Sequence, residues 1–180
     1  MYQIRIHGRG GQGVVTAAEL IAIAAFNDGH ESQAFPHFGV ERTGAPIQAY
    51  ARIDDKPIRT REHVYKPDAL IVQDPTLIGT VDLAQGCHKD TILIVNSSLP
   101  KDQLGINFDL ENIYVIDATN IALDILGKNI VNTVILGTLA KINNLISLEG
   151  LTKAIKQKFA GKDKSLVEKN IKAVTKAFNS

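Results

Sequence analysis

The sequence predicts an α/β fold, a three-layer α/β/α Rossmann-like sandwich whose sheet is mostly parallel with one antiparallel hairpin. Three observations carry this. The alternating run Tyr2-Gln3-Ile4-Arg5-Ile6-His7 meets the glycine loop Gly8-Arg9-Gly10-Gly11-Gln12-Gly13 and then at once a segment rich in Ala, Leu and Ile. A second alternating run, Ala45 to Ile53, puts Ile47, Ala49, Ala51 and Ile53 on one face and Gln48, Tyr50 and Arg52 on the other, the period of a half-buried strand. Three continuous apolar runs follow, Ala69-Leu70-Ile71-Val72, Thr91 to Val95 and Ile113 to Ile116, as expected of central parallel strands covered on both faces.

In order along the chain, the first strand carries Ile4 and Ile6 on one face, and Val14 to Asn27 is a helix apolar on most of its circumference. Ala17, Ala18, Ala24 and Ala25 are small enough to let it lie close to a sheet, and Glu19 sits near its start, where the dipole favours a carboxylate. Ser32 to Pro36 reads as a second strand, so the opening resembles a βαβ unit. His37 to Ala45 is then a loop in which Gly39, Glu41, Arg42 and Gly44 cluster, and such a loop is either a solvated turn or a binding element. Asp54-Asp55-Lys56-Pro57 is a turn after which Ile58-Arg59-Thr60 is expected to fold back as a short hairpin partner. Each apolar run ends in a polar residue, Gln73-Asp74, Asn96 or Asp117, at the end of a parallel strand where ligand-facing loops stand; turn and capping roles are favoured for both aspartates. The remainder reads as helical: Thr119 to Leu126 stopped by Gly127, a helix capped by Asn132-Thr133 through about Asn144, one capped by Ser147, and a last helix opened by the capping box Ser165 to Glu168 with Val167, Ile171, Val174 and Phe178 as its apolar stripe.

The glycine loop is the most informative stretch. Gly8, Gly10 and Gly13 fit G-x-G-x-x-G between a strand and a helix, the context in which amides at the helix start receive a phosphate or carboxylate. A dinucleotide fold also needs an acid at the end of the second strand for the ribose hydroxyls. None stands there, since Asp28 and Glu31 precede that strand. The loop is therefore read as a backbone turn that meets an anion rather than as an NAD site.

Composition narrows the classes. The 180 residues suffice for one domain, 1–180, with a sizeable core and no linker. A net charge of +1 supplies no field to draw in nucleic acid or an anionic membrane. Cys87 is the sole cysteine, read as filler in a turn, and one cysteine cannot hold an iron–sulfur cluster or pair internally. No apolar run approaches membrane-spanning length and the amino terminus enters a strand directly, so a cytoplasmic protein is expected. His7, His30, His37, His63 and His88 show no metal-ligand spacing, and of these only His37 adjoins a candidate loop. The eight lysines from Lys153 to Lys176 read as solvated helix surface, a basic docking patch being the alternative.

Taken together, the glycine loop, Phe38-Gly39-Val40-Glu41-Arg42-Thr43-Gly44-Ala45-Pro46, Pro67-Asp68 with Asp74-Pro75-Thr76-Leu77, and Val131-Asn132-Thr133 resemble one family, the gamma subunit of pyruvate:ferredoxin oxidoreductase, or pyruvate synthase, among the 2-oxoacid:ferredoxin oxidoreductases. The resemblance implies a domain, inactive alone and without catalytic residues of its own, working with alpha, beta and delta subunits. In those partners would reside thiamine diphosphate, Mg2+ and the iron–sulfur clusters. The reaction implied is oxidative decarboxylation of a 2-oxoacid, pyruvate first, with coenzyme A to acetyl-CoA and CO2, electrons leaving to ferredoxin. It further implies that Gly8, Arg9, Gly10, Gly11, Gln12 and Gly13, with Phe38, Gly39, Glu41, Arg42, Thr43 and Gly44, face the cofactor and coenzyme A region. One departure stands out: many relatives carry a second basic residue where this chain has Thr43, which leaves Arg9 and Arg42 as the cationic candidates. The rival readings are a free-standing NAD or FAD oxidoreductase domain using the same loop, and a nucleic-acid module using the carboxy-terminal lysines.

Overall fold

Alternation along two long strands, unbroken apolar runs along three shorter ones and one further edge strand build one six-stranded sheet. The computed structural model describes residues 1–37, 42–107 and 110–180. The strands are β1 (Tyr2–Arg9), β2 (Glu31–Pro36), β3 (Pro46–Asp54), β4 (Ala69–Val72), β5 (Ile92–Asn96) and β6 (Ile113–Ile116), in the order β2-β3-β1-β4-β5-β6. The helices are α1 (Val14–Asn27), α2 (Ala118–Leu126), α3 (Val131–Ile142), α4 (Leu148–Lys158) and α5 (Lys164–Asn179). From β1 to β6 the pairing is parallel, and only β3 runs against its neighbours, as the expected α/β class with a mostly parallel sheet requires.

The antiparallel element differs from the hairpin read in the sequence. Residues Ile58 to Thr60 form no strand. The physical reason is that β3 has no free edge: β1 pairs with it from Tyr2↔Ile53 to Arg9↔Pro46, and β2 occupies the other side from Glu31↔Asp54 to Pro36↔Ala49. The opening βαβ unit is correspondingly split, because β3 is inserted between β1 and β2.

Side-chain alternation sorts the sheet into two faces. Ile4, Ile6, Ala51, Ile53, Ile71 and Ile94 join the larger core, together with the buried residues of all five helices. Leu70, Val72, Leu93 and Val95 face the other way, against Leu77, Leu83 and Leu110. That second face is covered by connecting segments with 3-10 turns at Pro75–Leu77 and Lys101–Gln103, not by α-helices. Pro75 and the positive-φ glycines Gly79 and Gly86 break the β4–β5 connection before any helix can propagate. The third layer expected from the sequence is thus present but irregular.

Two helix starts also differ from expectation. For α3 the residue before the first turn is Ile130, no side chain caps it, and Asn132 and Thr133 lie buried within the first turn instead. For α5 the cap is Asp163, whose carboxylate accepts from Ser165 N at 2.9 Å, so Ser165 is already helical and the box with Glu168 does not form. On α5 the fully buried stripe is Asn170, Ala173, Val174 and Ala177, with Val167, Ile171 and Phe178 at its margin. Gly127 stops α2 at φ 69° and Ser147 caps α4 by accepting from Gly150 N at 2.8 Å, both as read from the sequence. Glu19 pairs with Lys158 across α1 and α4, which suits its structural reading.

Candidate functional site

The connection after β1 runs toward one edge of the sheet and the connections after β4 and β5 run toward the other, so the chain diverges between β1 and β4. Open α/β sheets bind ligands in the crevice that such divergence leaves at the carboxyl ends of the strands. Here that crevice is bordered by the glycine loop after β1 and by Gln73 and Asp74 after β4.

The loop is held by its own polar side chains. Gln12 Oε1 accepts from Arg9 N at 2.7 Å, and Gln12 Nε2 donates to Asp74 Oδ2 at 2.8 Å. The Arg9 guanidinium lies 3.2 Å from the same Asp74 oxygen, donates to Thr76 Oγ1 at 2.7 Å and reaches the Gly44 carbonyl at 3.1 Å. Thr76 in turn donates its hydroxyl and its amide to Asp74 Oδ1. Burial alone raises the Asp74 pKa, but the hydrogen bonds from Thr76 and Gln12 and the Arg9 charge outweigh it and hold the carboxyl below its ordinary range. Arg9 is therefore spent on fixing the loop, and Asp74 combines the turn role read from the sequence with the anchoring of Arg9 and Gln12.

Residues 42–45 complete the frame. Gly10 bridges Thr43, donates to the Ala45 carbonyl at 2.9 Å and accepts from Gly44 N at 3.0 Å. A Cβ on Gly10 would run into the Arg42 carbonyl, so the two segments approach as closely as only glycine allows. Gly13 precedes α1 in the left-handed region, φ 72°, with no side chain capping the helix, and its carbonyl accepts from Asn132 Nδ2 at 3.2 Å. The start of α1 thus offers amides and the positive dipole end to the crevice. The structure brings Gly8 to Gly13 together with Arg42, Thr43 and Gly44; Phe38, Gly39 and Glu41 lie outside the described residues.

Beyond the loop the floor is polar. Asn96 Nδ2 donates to the Gln73 carbonyl at 2.9 Å and to Thr119 Oγ1 at 3.0 Å, while Asn96 Oδ1 accepts from Thr119 N at 3.1 Å, lacing the ends of β4, β5 and β6. Asp117 caps α2 by accepting from Asn120 N, as the sequence suggested. A cavity of about 130 Å³ lies among Gln12, Gln73, Asp74, Asn96 and Thr119. Gln73 is 1% exposed, yet neither its Oε1 nor its Nε2 has a partner among the described residues. A buried amide left open on both atoms costs on the order of 1–3 kcal/mol per group. The sequence marked Gln73 and Asn96 only as polar strand ends and Asn132 as a helix cap and family motif, and gave Thr119 no role beyond opening a helix, so none was named as a binding residue. The polar residue ending each apolar run was the available signal for the first two.

His37 lies apart from this frame. Its Nδ1 is 2.8 Å from the Tyr50 hydroxyl and its ring packs at a tilt against His63, centroids 4.4 Å apart, which favours a structural histidine. Cys87 is half-buried; burial pushes its thiol up against the opposing pull of Arg5, so it is poorly suited to act as a thiolate. Among the described residues no cluster of His, Cys, Asp and Glu is arranged for a metal, and no helix is long and apolar enough to cross a membrane.

Comparison with known proteins then decides the family. The sequence profile described as "Pyruvate ferredoxin/flavodoxin oxidoreductase" matches residues 3–180. The chain belongs to that family. It is 50% identical over 181 residues to the "Pyruvate/ketoisovalerate oxidoreductases common subunit gamma" of Thermococcus kodakarensis, covering 99% of this chain and 96% of the relative. Over 179 residues it is 50% identical to "Pyruvate synthase subunit PorC" of Methanocaldococcus jannaschii, with the same coverage. The crystal structure of pyruvate oxidoreductase subunit PORC from Thermotoga maritima superposes with a TM-score of 0.87 at 34% identity, covering 99% and 96% of the two chains. Full-length agreement with gamma-type members of the pyruvate ferredoxin/flavodoxin oxidoreductase family bears out the resemblance carried by the motifs and places the chain among subunits of an oxidoreductase complex.

Proposed function

We propose that this chain, as the gamma subunit of a 2-oxoacid oxidoreductase, forms the coenzyme A side of an active site whose reactive centres sit in partner alpha and beta subunits. The substrate is pyruvate, the products acetyl-CoA and CO2, and the electron acceptor ferredoxin, reached through clusters in a delta-type partner. Thiamine diphosphate with Mg2+ and the iron–sulfur clusters belong to the partners and supply the decarboxylation and electron transfer. Residues 1–180 act as one unit. Its contribution is shape, backbone donors and water exclusion at the coenzyme's anionic groups.

The observation that carries this reading is the locked glycine loop. Arg9, Gln12 and Asp74 fix Gly8 to Gly13 against Thr43 to Ala45 beside the uncapped start of α1, leaving amides where a diphosphate is best received. A single cysteine fits a subunit that leaves cluster chemistry to others. The rival dinucleotide reading lacks its ribose acid, since Asp28 accepts hydrogen bonds from Ser147 N and Oγ and is committed to holding α4.

The test is reconstitution. The purified chain is expected to show no thiamine-dependent turnover and to confer it only when mixed with its partners. Within the complex, Arg42→Ala is expected to raise the KM for coenzyme A about tenfold while changing that for pyruvate less than about twofold. Turnover by the lone chain, or equal changes in both constants, would overturn the assignment.

A further inference from the structure

The face of the sheet that carries Tyr50 and Arg52 meets residues 55–66, a connection without strand or helix. Its backbone is pinned from several sides. Arg52, 1% exposed, donates from Nη2 to the carbonyls of Glu62 and His63, while its Nε and Nη1 hold the side-chain oxygens of Gln3 and Gln33. Val64 is buried, and a Cβ on Gly86 would overlap the Tyr65 carbonyl, so these two backbones are in contact. The His63 ring packs against His37 and stacks on Tyr50, centroids 4.4 and 5.4 Å apart.

The side chains this connection turns outward are aromatic and cationic. Tyr65 is 65% exposed, and Lys56, Arg59, Arg61 and Lys66 are exposed in the same connection, with Glu62 as its one acid. None of the four cations makes an ion pair among the described residues. The neighbouring acids are committed elsewhere, Asp54 to the amino terminus, Asp55 to His30 and Asp68 to the Gln3 amide. Tyrosine and arginine are enriched where proteins associate, and lysine is depleted there. On that basis the α4 and α5 face is solvated surface: it carries eight lysines from Lys153 to Lys176 and no arginine, and Lys153, Lys158 and Lys176 pair with Glu149, Glu19 and Asp124.

We propose that residues 56–66 dock an acidic surface of a partner subunit of the oxidoreductase complex. Tyr65 is the central anchor, and Arg59 and Arg61 meet carboxylates around it. Because the backbone is already fixed, little freedom is lost when the tyrosine is covered. A second copy of this chain does not fit, since a two-fold contact through this patch would set the same cations against each other. His37 follows β2 at the edge of the sheet where β1 ends and β3 begins, so a partner seated beside His63 borders the glycine-loop end of the molecule. The proposal rests on membership of a multi-subunit complex and not on the coenzyme A assignment.

The test is binding of the purified chain to the remaining subunits of the complex, read by surface plasmon resonance. Arg59→Glu/Arg61→Glu is expected to weaken binding at least about thirtyfold and Tyr65→Ala about tenfold, with melting temperatures unchanged because all three side chains are exposed. Lys156→Glu/Lys172→Glu makes the same change of charge at exposed positions of α4 and α5 and is expected to alter binding less than about twofold. In the assembled complex, a benzophenone photocrosslinker placed at position 65 is expected to label a partner subunit at a segment rich in Asp and Glu. Equal weakening by the two charge reversals, binding unaltered by Tyr65→Ala, or crosslinking of position 65 to a second copy of this chain would overturn the proposal. No coenzyme A enters either measurement, so such a failure leaves the KM expectation for Arg42→Ala standing.

Discussion

His7 is one residue through which acidifying from pH 7 to pH 5 weakens the folded chain, beside His37, whose pKa burial also lowers. The His7 side chain sits in the middle of the sheet, 2% exposed, between Gln48 of β3 and Val72 of β4. Its Nε2 has no partner among the described residues. Burial first, then the charge of Arg5 and the proximity of His37, lower its pKa from 6.5 to about 3. The folded-state value is depressed, so above pH 6.5 both states are neutral and His7 contributes nothing. As pH falls through 6.5 the unfolded chain takes a proton that the folded chain refuses. Stability is then lost at about 1.4 kcal/mol per pH unit until the folded value is reached near 3. Between pH 7 and pH 5 the loss from this group is about 2 kcal/mol. Urea unfolding at the two pH values measures it, and His7→Gln supplies the control because glutamine does not titrate. The wild-type loss is expected to exceed that of His7→Gln by about 2 kcal/mol, since carboxylates and His37 contribute alike to both. Equal losses in the two proteins would refute the argument that His7 is buried neutral.

Two further substitutions probe the loop. Gly13→Ala forces an L residue to φ 72° and drives its Cβ into the Asn132 side chain, so a loss of about 2–3 kcal/mol is expected in urea unfolding; less than about 1 kcal/mol would mean the loop relaxes freely. Asp74→Ala removes the shared acceptor of Arg9, Gln12 and Thr76 and is expected to cost about 1–3 kcal/mol. In the reconstituted complex the same change should raise the KM for coenzyme A at constant KM for pyruvate, and an unchanged coenzyme A constant would separate the loop from that ligand.

The sheet was largely legible because its signals are local. Val14 to Asn27, Ala69 to Val72 and Ile113 to Ile116 stand in the structure where their hydrophobic patterns put them. Pairing was less legible, since nothing in Ile58 to Thr60 reveals that β3 is already flanked on both edges. The helix starts show the same limit. Asn132 and Ser165 have the chemistry of caps, but Asn132 is turned to the Gly13 carbonyl and Asp163 reaches the α5 amides first. At the candidate site the glycines announced the turn, whereas the anchors Asp74 and Thr76 come from a segment more than 60 residues away, joined to Arg9 only by the parallel pairing of β1 with β4. The tie from Asn132 to Gly13, 119 residues apart, leaves no trace in local sequence at all.

That last tie bears on how the protein is made. The turn at Gly13 emerges among the first residues synthesised, yet the side chain that secures it belongs to α3, and its other braces come from Thr43 to Ala45 and from Asp74. A nascent chain released before Asn132 leaves the ribosome lacks the brace at Gly13 while keeping those from residues 43–45 and Asp74, and contacts of such sequence separation form slowly. The last brace of the turn before α1 therefore waits on the carboxy-terminal half of the chain, and a truncation before Asn132 that spares every glycine of the loop still removes it.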